Sequence, residues 1–286
     1  MHDITTTSPA KINLFFELLG KREDGYFQVE TILQEIDLHD DILIKDRDGG
    51  DINVEVYPPL HIAKEDNIAY KAARLIQQKS NRFNRGAGIF IKKRIPVGRG
   101  LGGGSSNAAG VLKGLNELWH LGFSFKDLAD LGTKLGMDVP FFIYGGTCLG
   151  SERGEVITPL PNFSGVKILL LWPDFPISTA EVYKNIPPNL TTKKRSVKLL
   201  IEYLKIKDFE GITKHLFNRL EDVAIKIHPP ISGFQKRLDF LKTDKIIMSG
   251  SGSAFFTILP NDWEGEEYIK KELLKLKGGY YIGETL

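Results

Sequence analysis

Apolar and polar positions alternate, or β-branched residues cluster, over 10–19, 28–38, 41–46 and 51–56, with Asp- and Gly-rich breaks between them. A period of two buries one face of a strand and leaves the other wet, so these stretches predict strands joined as antiparallel hairpins. The spacing then lengthens to a helix over about 67–79 and returns to a strand over 88–93. After a glycine-rich loop, Ala108, Val111, Leu112, Leu115, Leu118 and Trp119 recur at helical intervals, and Ser105-Ser-Asn107 offers an N-cap. Ser124 with Asp127 three residues on reads as a capping-box variant. It opens a helix carrying Leu128, Leu131 and Leu135 that stops at Gly136. Asp138 then precedes an apolar run, Val-Pro-Phe-Phe-Ile-Tyr, that reads as a strand.

Residues 159–165 (Pro-Leu-Pro-Asn-Phe-Ser-Gly) read as a boundary. Beyond them the pattern predicts a strand over 166–172, helices over 197–204, 209–227 and 231–241, and a strand over 246–248. The turn Ser249-Gly-Ser-Gly-Ser253 leads to a strand over 254–259, a helix over 264–277 and a short final strand. The mixed order indicates α+β in both halves, 1–160 and 161–286. A length of 286 residues is also what two domains of ordinary size would need.

Composition narrows the class. With 42% hydrophobic and 26% charged residues the chain has the make-up of a folded globular protein. Its single cysteine, Cys148, cannot form an internal disulfide, and the six histidines are scattered without metal-ligand spacing, so a protein-held transition metal is not expected. The opening Met-His-Asp-Ile-Thr-Thr-Thr lacks a signal-peptide pattern, and the greasiest stretch, Ile168-Leu-Leu-Leu-Trp172, is far short of the ~18 residues of a membrane span. A soluble cytoplasmic protein is expected, without membrane or nucleic-acid partners. The oligomeric state is not legible.

Net charge is only +2, but its distribution is uneven. Between Asp66 and Glu117 there is no carboxylate at all, while ten Lys or Arg fall there: Lys71, Arg74, Lys79, Arg82, Arg85, Lys92, Lys93, Arg94, Arg99 and Lys113. A field of one sign around a glycine loop favours an anionic ligand.

That loop is Pro96-Val97-Gly98-Arg99-Gly100-Leu101-Gly102-Gly103-Gly104-Ser105-Ser106. Such glycine density lets backbone N–H groups approach an oxyanion, and the helix behind adds its positive end. A phosphate chain is the ligand this chemistry favours. Gly98-x-Gly100-x-x-Gly103 formally matches a dinucleotide fingerprint, but Pro96 and the basic Lys92-Lys-Arg94 interrupt the expected passage, and no acidic ribose partner follows at the right distance. The Walker pattern is absent. Two further segments stand out. In Ser8-Pro-Ala-Lys11-Ile-Asn13-Leu, strand alternation puts Lys11 and Asn13 on one face and Ile12 and Leu14 on the other. In Gly136-Met-Asp138-Val-Pro, the carboxylate follows a helix stop at the edge of an apolar run.

In their order and wording these segments resemble the GHMP small-molecule kinase superfamily, and within it the branch whose alcohol substrate carries a cytidine diphosphate. Asp24-Gly-Tyr26, Glu65-Asp-Asn67 and the turn at 249–253 also fit. The resemblance implies a ribosomal-S5-like N-terminal domain, a ferredoxin-like C-terminal domain and an active site between them. It implies transfer of phosphate from ATP, accompanied by Mg²⁺, to the 2-hydroxyl of a cytidine-diphosphate-linked methylerythritol, in the non-mevalonate supply of isoprenoid precursors. Asp138 would be the general base and Lys11 its electrostatic partner, with Asn13 orienting substrate. Residues 96–106 would wrap the nucleotide phosphates, with Asn67, Ile68 and Lys93 around adenine. Tyr26 and Tyr183 would sandwich cytosine. The family pattern continues Gly-Tyr-His, the histidine hydrogen-bonding the base, whereas this chain has Gly25-Tyr26-Phe27, and a phenyl ring makes no such bond.

Alternatives are a sister kinase acting on homoserine, mevalonate or a sugar, and a nicotinamide-dependent dehydrogenase using the Gly98 fingerprint. An RNA-binding module, suggested by Lys92-Lys-Arg94 and Lys193-Lys-Arg195, lacks interleaved aromatics.

Overall fold

The computed structural model describes residues 3–187, 194–241, 243, 245–260, 263, 266–275 and 277–286. Strand β1 (Asp3–Lys21) runs antiparallel to β2 (Phe27–Asp48), the longest strand. After β3 (Ile52–Tyr57) come α1 (Ile68–Lys79) and β4 (Arg85–Lys92). The glycine loop leads into α2 (Gly103–Leu118), followed by α3 (Phe125–Thr133), α4 (Val139–Tyr144), β5 (Thr147–Ser151) and β6 (Val156–Pro159). The remainder holds β7 (Lys167–Pro173), α5 (Thr179–Lys184), α6 (Lys198–Ile206), α7 (Phe209–His215), β8 (Phe217–Asn218), α8 (Arg219–Ile227), α9 (Pro230–Lys236), β9 (Ile247–Met248), β10 (Phe255–Ile258), α10 (Glu266–Leu273) and β11 (Gly278–Glu284).

Two sheets result. One has the order β3-β4-β2-β1-β8, with β5 on the first half of β2 and β6 beyond it; the other runs β11-β7-β10-β9. The first sheet buries one face under α1 to α4 through Ile42, Ile44, Ile89, Leu112 and Leu115. Its other face, with Ile12, Leu14, Ile32 and Ile36, shares a core with the second sheet and with α6 and α7. In β7, Ile168 and Leu170 enter that shared core while Leu169 and Leu171 enter a third core under α8 and α9. A strand buried on both faces has no polar side to alternate with. The unbroken apolar run at 168–172 is therefore an internal strand. Among the described residues no helix is long and apolar enough to cross a membrane.

Several expectations are corrected. The strands at 28–38 and 41–46 are one strand, because Asp37 and Leu38 form an irregularity in the ladder, opposite the step from Pro9 to Ala10 of β1, rather than a turn. The run after Asp138 is the helix α4: Pro140 near its start favours a helical first turn, and burial of five successive residues, Val139 to Ile143, leaves no period by which a strand could be told from a helix. The helix at 209–227 is two, since Asn218 is extended and caps α8 by accepting from Leu220 N. The helix at 231–241 ends at Lys236 and is followed by a 3₁₀ turn. Part of the expected helix at 264–277, namely 264, 265 and 276, lies outside the described residues, as does Lys193. The dehydrogenase alternative fails on topology, because β4, the strand before the loop, pairs antiparallel with β2 instead of lying in a parallel doubly wound sheet.

Candidate active site

The glycine loop starts with an anchor from outside the acid-free interval. Asp40, fully buried on β2, accepts from the backbone N–H of Arg94 (2.7 Å) and Ile95 (2.9 Å), from Lys93 Nζ (2.5 Å) and from Asn107 Nδ2 (2.8 Å). Lys93 Nζ also donates to Asn107 Oδ1 (3.0 Å). One carboxylate thus ties the entry of the loop to the second turn of α2. Between these ends Leu101 O accepts from Lys11 N (3.0 Å), fastening the loop to β1.

Two glycines are sterically required. Gly100 (φ +75°) lies where a Cβ would come 2.2 Å from Ser249 O, and Gly102 (φ +71°) where one would meet the Phe142 ring at 2.8 Å. Gly102, not Ser105, is the N-cap of α2, and both serines lie inside its first turn. The amides of Gly103, Gly104 and Ser105 therefore have no carbonyl one turn back, and the positive helix end sits within the glycines themselves.

The loop forms one wall of a cleft of about 1380 Å³. Six cationic residues (Lys11, Lys21, Lys93, Arg99, Arg153, Lys184) line it against two carboxylates, Asp66 and Asp138, among the described residues. Such a balance selects anions. As alternation predicts, Ile12 and Leu14 point into the shared core while Lys11 and Asn13 face the cleft. Leu14 is an extra residue in the β1–β2 ladder, between Asn13↔Leu33 and Phe15↔Ile32, and bulges of this kind re-aim neighbouring side chains.

Lys11 Nζ, 127 positions away in sequence, lies 3.9 Å from Asp138 Oδ2 and 2.5 Å from Asn13 Oδ1. Asn13 Nδ2 donates to Thr31 Oγ1 (2.8 Å), which donates to Phe15 O (2.7 Å). Burial pushes the Lys11 ammonium below its ordinary pKa, and the Asp138 charge opposes that shift. Asp138 occupies the N-cap position of α4, but its side chain makes no capping bond and is 39% exposed, which leaves the carboxylate available in the cleft. The other end of α4 is held by Lys113 Nζ on Phe142 O (3.0 Å), with Glu35 Oε2 accepting from Gly146 N just beyond (2.8 Å).

At the far end Tyr26, Phe27 and Tyr183 all line the cleft. Tyr26 is 55% exposed, on a turn where Asp24 Oδ1 accepts its N–H, and the Arg153 guanidinium lies 5.3 Å from its ring centre. Phe27 and Tyr183 pack with ring centres 6.1 Å apart, and burial raises the Tyr183 hydroxyl well above its usual range. Asn67 and Ile68 line the cleft beside the loop, and Asn67 Oδ1 caps α1 at Ala69 N.

Of the residues singled out by sequence, all but Ser106 are brought to this cleft. Ser106 is buried behind the wall, its hydroxyl without a partner and its carbonyl accepting from Ser8 Oγ. Sequence reasoning missed Arg153 and Thr179, and singled out Ser251 only as part of the 249–253 turn. Thr179 and Ser251 share a 2.7 Å hydrogen bond at the cleft edge; Arg153 sits in the turn between β5 and β6 and Thr179 at the start of the six-residue α5, neither with a periodic signal. The 249–253 turn packs on the loop, with Ser249 Oγ donating to Gly100 O (3.1 Å). Asn218 Nδ2 holds that turn through Met248 O and Gly250 O, both at 2.7 Å.

The signature described as the GHMP kinases N terminal domain matches residues 67–146, which include the whole loop and Asp138. A solved homoserine kinase from Cytophaga hutchinsonii shares the fold (TM-score 0.75, 17% identity, 100% of this chain and 95% of the other). The chain is thus a GHMP small-molecule kinase, an ATP-dependent phosphotransferase. More specifically, it is 41% identical over 285 residues to the 4-diphosphocytidyl-2-C-methyl-D-erythritol kinase of Clostridioides difficile, covering 99% of this chain and 95% of that one. It is 40% identical to the Alkaliphilus metalliredigens protein of the same name, over 91% and 89% of the two chains. A crystal structure of 4-(cytidine 5'-diphospho)-2C-methyl-D-erythritol kinase superposes with TM-score 0.81 at 30% identity over 99% of both chains. The chain belongs to this kinase family.

Proposed function

We propose that the chain phosphorylates the 2-hydroxyl of 4-diphosphocytidyl-2-C-methyl-D-erythritol with ATP, a step of isoprenoid-precursor synthesis. The observation that carries the mechanism is the Lys11–Asp138 pair, set between the glycine loop and the aromatic end of the cleft. Phosphoryl transfer asks a protein mainly for positioning and charge stabilisation. Asp138 takes the proton of the attacking hydroxyl. Lys11, 3.9 Å from that carboxylate, offsets charge on the transferring group, while Asn13, fixed by Thr31, orients the substrate. The backbone of 96–105 wraps the β- and γ-phosphates.

Asn67 and Ile68 border adenine. Lys93, already committed to Asp40 and Asn107, acts by holding the loop rather than by touching the base. Tyr26 and Tyr183 take the cytosine between them, and Phe27 supplies packing without an edge hydrogen bond. Magnesium is expected to enter with the nucleotide: among the described residues no group of three His, Cys, Asp or Glu side chains is placed to hold a metal ion. The ion's reluctance to dehydrate suits phosphate and water ligands, and it would neutralise charge on the phosphate oxygens. We also read 1–160 and 161–286 as the two domains, supported by their separate sheets, although β8 from the second half joins the first sheet.

Steady-state kinetics of Asp138→Asn and Lys11→Ala test the assignment. Each should lower kcat by about 10²–10⁴-fold with folding intact, and near-normal kcat in both would refute it. Wild-type activity should also fall on the alkaline side at a pH below 10.5, because the required ammonium is lost as pH rises through a lowered pKa.

A further inference from the structure

Asp138 heads α4 without a capping bond from its own side chain, and a helix of six residues is too short to hold its shape unaided in water. Where the carboxylate lies therefore depends on how the rest of α4 is fastened. Val139 to Ile143 are buried, but apolar contact is non-directional and leaves the helix free to shift along its axis. Two polar contacts at the far end remove that freedom.

Both come from charged, partly buried side chains that do not line the cleft. Lys113 on α2 donates from Nζ to Phe142 O (3.0 Å), a last-turn carbonyl, and a cation suits the negative end of a helix. Glu35 on β2 accepts from Gly146 N at Oε2 (2.8 Å), two residues after the helix ends. Between these contacts Gly145 turns the chain at φ +75°, where a Cβ would stand 2.8 Å from the same Glu35 oxygen. Burial pushes the Glu35 carboxyl above its ordinary pKa, opposed by the Gly146 N–H and the Lys113 charge. Burial likewise pushes the Lys113 ammonium down, opposed by Glu35. Two charges kept at that cost away from the cleft wall are not accounted for by ligand binding.

The β1–β2 ladder connects them to the chemistry. Glu35 is the cross-strand partner of Lys11, and directly opposed residues of an antiparallel pair share one face. Lys11 reaches Asp138 at one end of α4 (3.9 Å), and Glu35 reaches Gly146 just past the other. One rung of the ladder thus spans the helix, and Lys113 pins it from α2.

We propose that Glu35 and Lys113 are positioning residues for Asp138: by fastening the exit of α4 they set how far its leading carboxylate stands from Lys11. They act through that carboxylate and not on a ligand. This rests on the reading of Asp138 as general base. Misplacing a reacting group by ~1 Å can cost about 10²-fold in rate.

The test is steady-state kinetics with ATP and 4-diphosphocytidyl-2-C-methyl-D-erythritol, run well below the melting temperature of each protein. Glu35→Ala and Lys113→Met remove the two contacts separately, whereas Glu35→Gln keeps an acceptor and Lys113→Arg a donor. The first two should lose about 10- to 100-fold in kcat with both KM values near wild type, and the conservative pair should recover most of that loss. In an Asp138→Asn background neither Glu35→Ala nor Lys113→Met should lower kcat further, because the group they position no longer acts as a base. A merely weakened fold would not give that pattern.

Near-normal kcat in Glu35→Ala or in Lys113→Met would overturn the proposal. So would losses that fall on KM instead of kcat, losses that persist in full in the Asp138→Asn background, or no recovery in either conservative variant. Should one of the two fail to fold, the other decides. Failure of the underlying reading shows separately, as near-normal kcat in Asp138→Asn alone.

Discussion

The two ends of the cleft are built in opposite ways. At the loop end, the wall is glycine backbone and is tied down from behind: Asp40 takes four donors, Gly100 abuts Ser249, and Leu101 is bonded to Lys11. At the aromatic end, the lining is side chains on a turn and on the six-residue α5, with Tyr26 more than half exposed beside Arg153. A phosphate chain is the same for every nucleotide-dependent kinase, so a pre-set cradle suits it. An alcohol substrate differs between kinases, and side chains on short elements are what can differ with it. Lys11 and Asp138 sit where the two meet.

The largest effect that separates the ends should come from Asp40. Asp40→Ala leaves the Lys93 ammonium buried with Asn107 as its remaining named partner, a change expected to cost about 3–5 kcal/mol. Thermal or denaturant unfolding should show that loss, and kinetics should show a raised KM for ATP with the KM for the cytidine substrate little changed. Unaltered stability would mean that the loop is not held from behind.

The aromatic end should respond in the reverse sense. Tyr26→Ala should raise KM for the cytidine substrate about tenfold through lost stacking, with stability and KM for ATP near wild type. Phe27→His should have the smallest effect, a gain of about fivefold in discrimination between cytidine and uridine forms from one added edge hydrogen bond. If Phe27→His changes neither, the base edge is read elsewhere.

What could be read from sequence follows the same division. The loop was legible because five glycines in seven residues leave few other purposes, and the Lys11/Asn13 face because a strand has a strict period of two. The doubly buried β7 was legible as a strand from its length and composition. Asp40 was not, since a carboxylate in His-Asp-Asp reads as a turn until the fold shows four donors converging on it. Asp138 was placed at the right edge but before the wrong element, because a six-residue helix with five successive buried residues carries no period. Arg153 and Thr179 meet the cleft only through tertiary packing, and Asn218 interrupts a helical pattern that hydrophobic spacing alone would continue.

Every role given to this cleft depends on its passing phosphate from ATP to a cytidine-diphosphate-linked alcohol. The most direct test is ADP release by the full chain with MgATP and, in parallel, 4-diphosphocytidyl-2-C-methyl-D-erythritol, homoserine and mevalonate. The expected kcat/KM for the first is at least about 100-fold above the other two, since those leave the aromatic end empty. A preference for homoserine or mevalonate would contradict it.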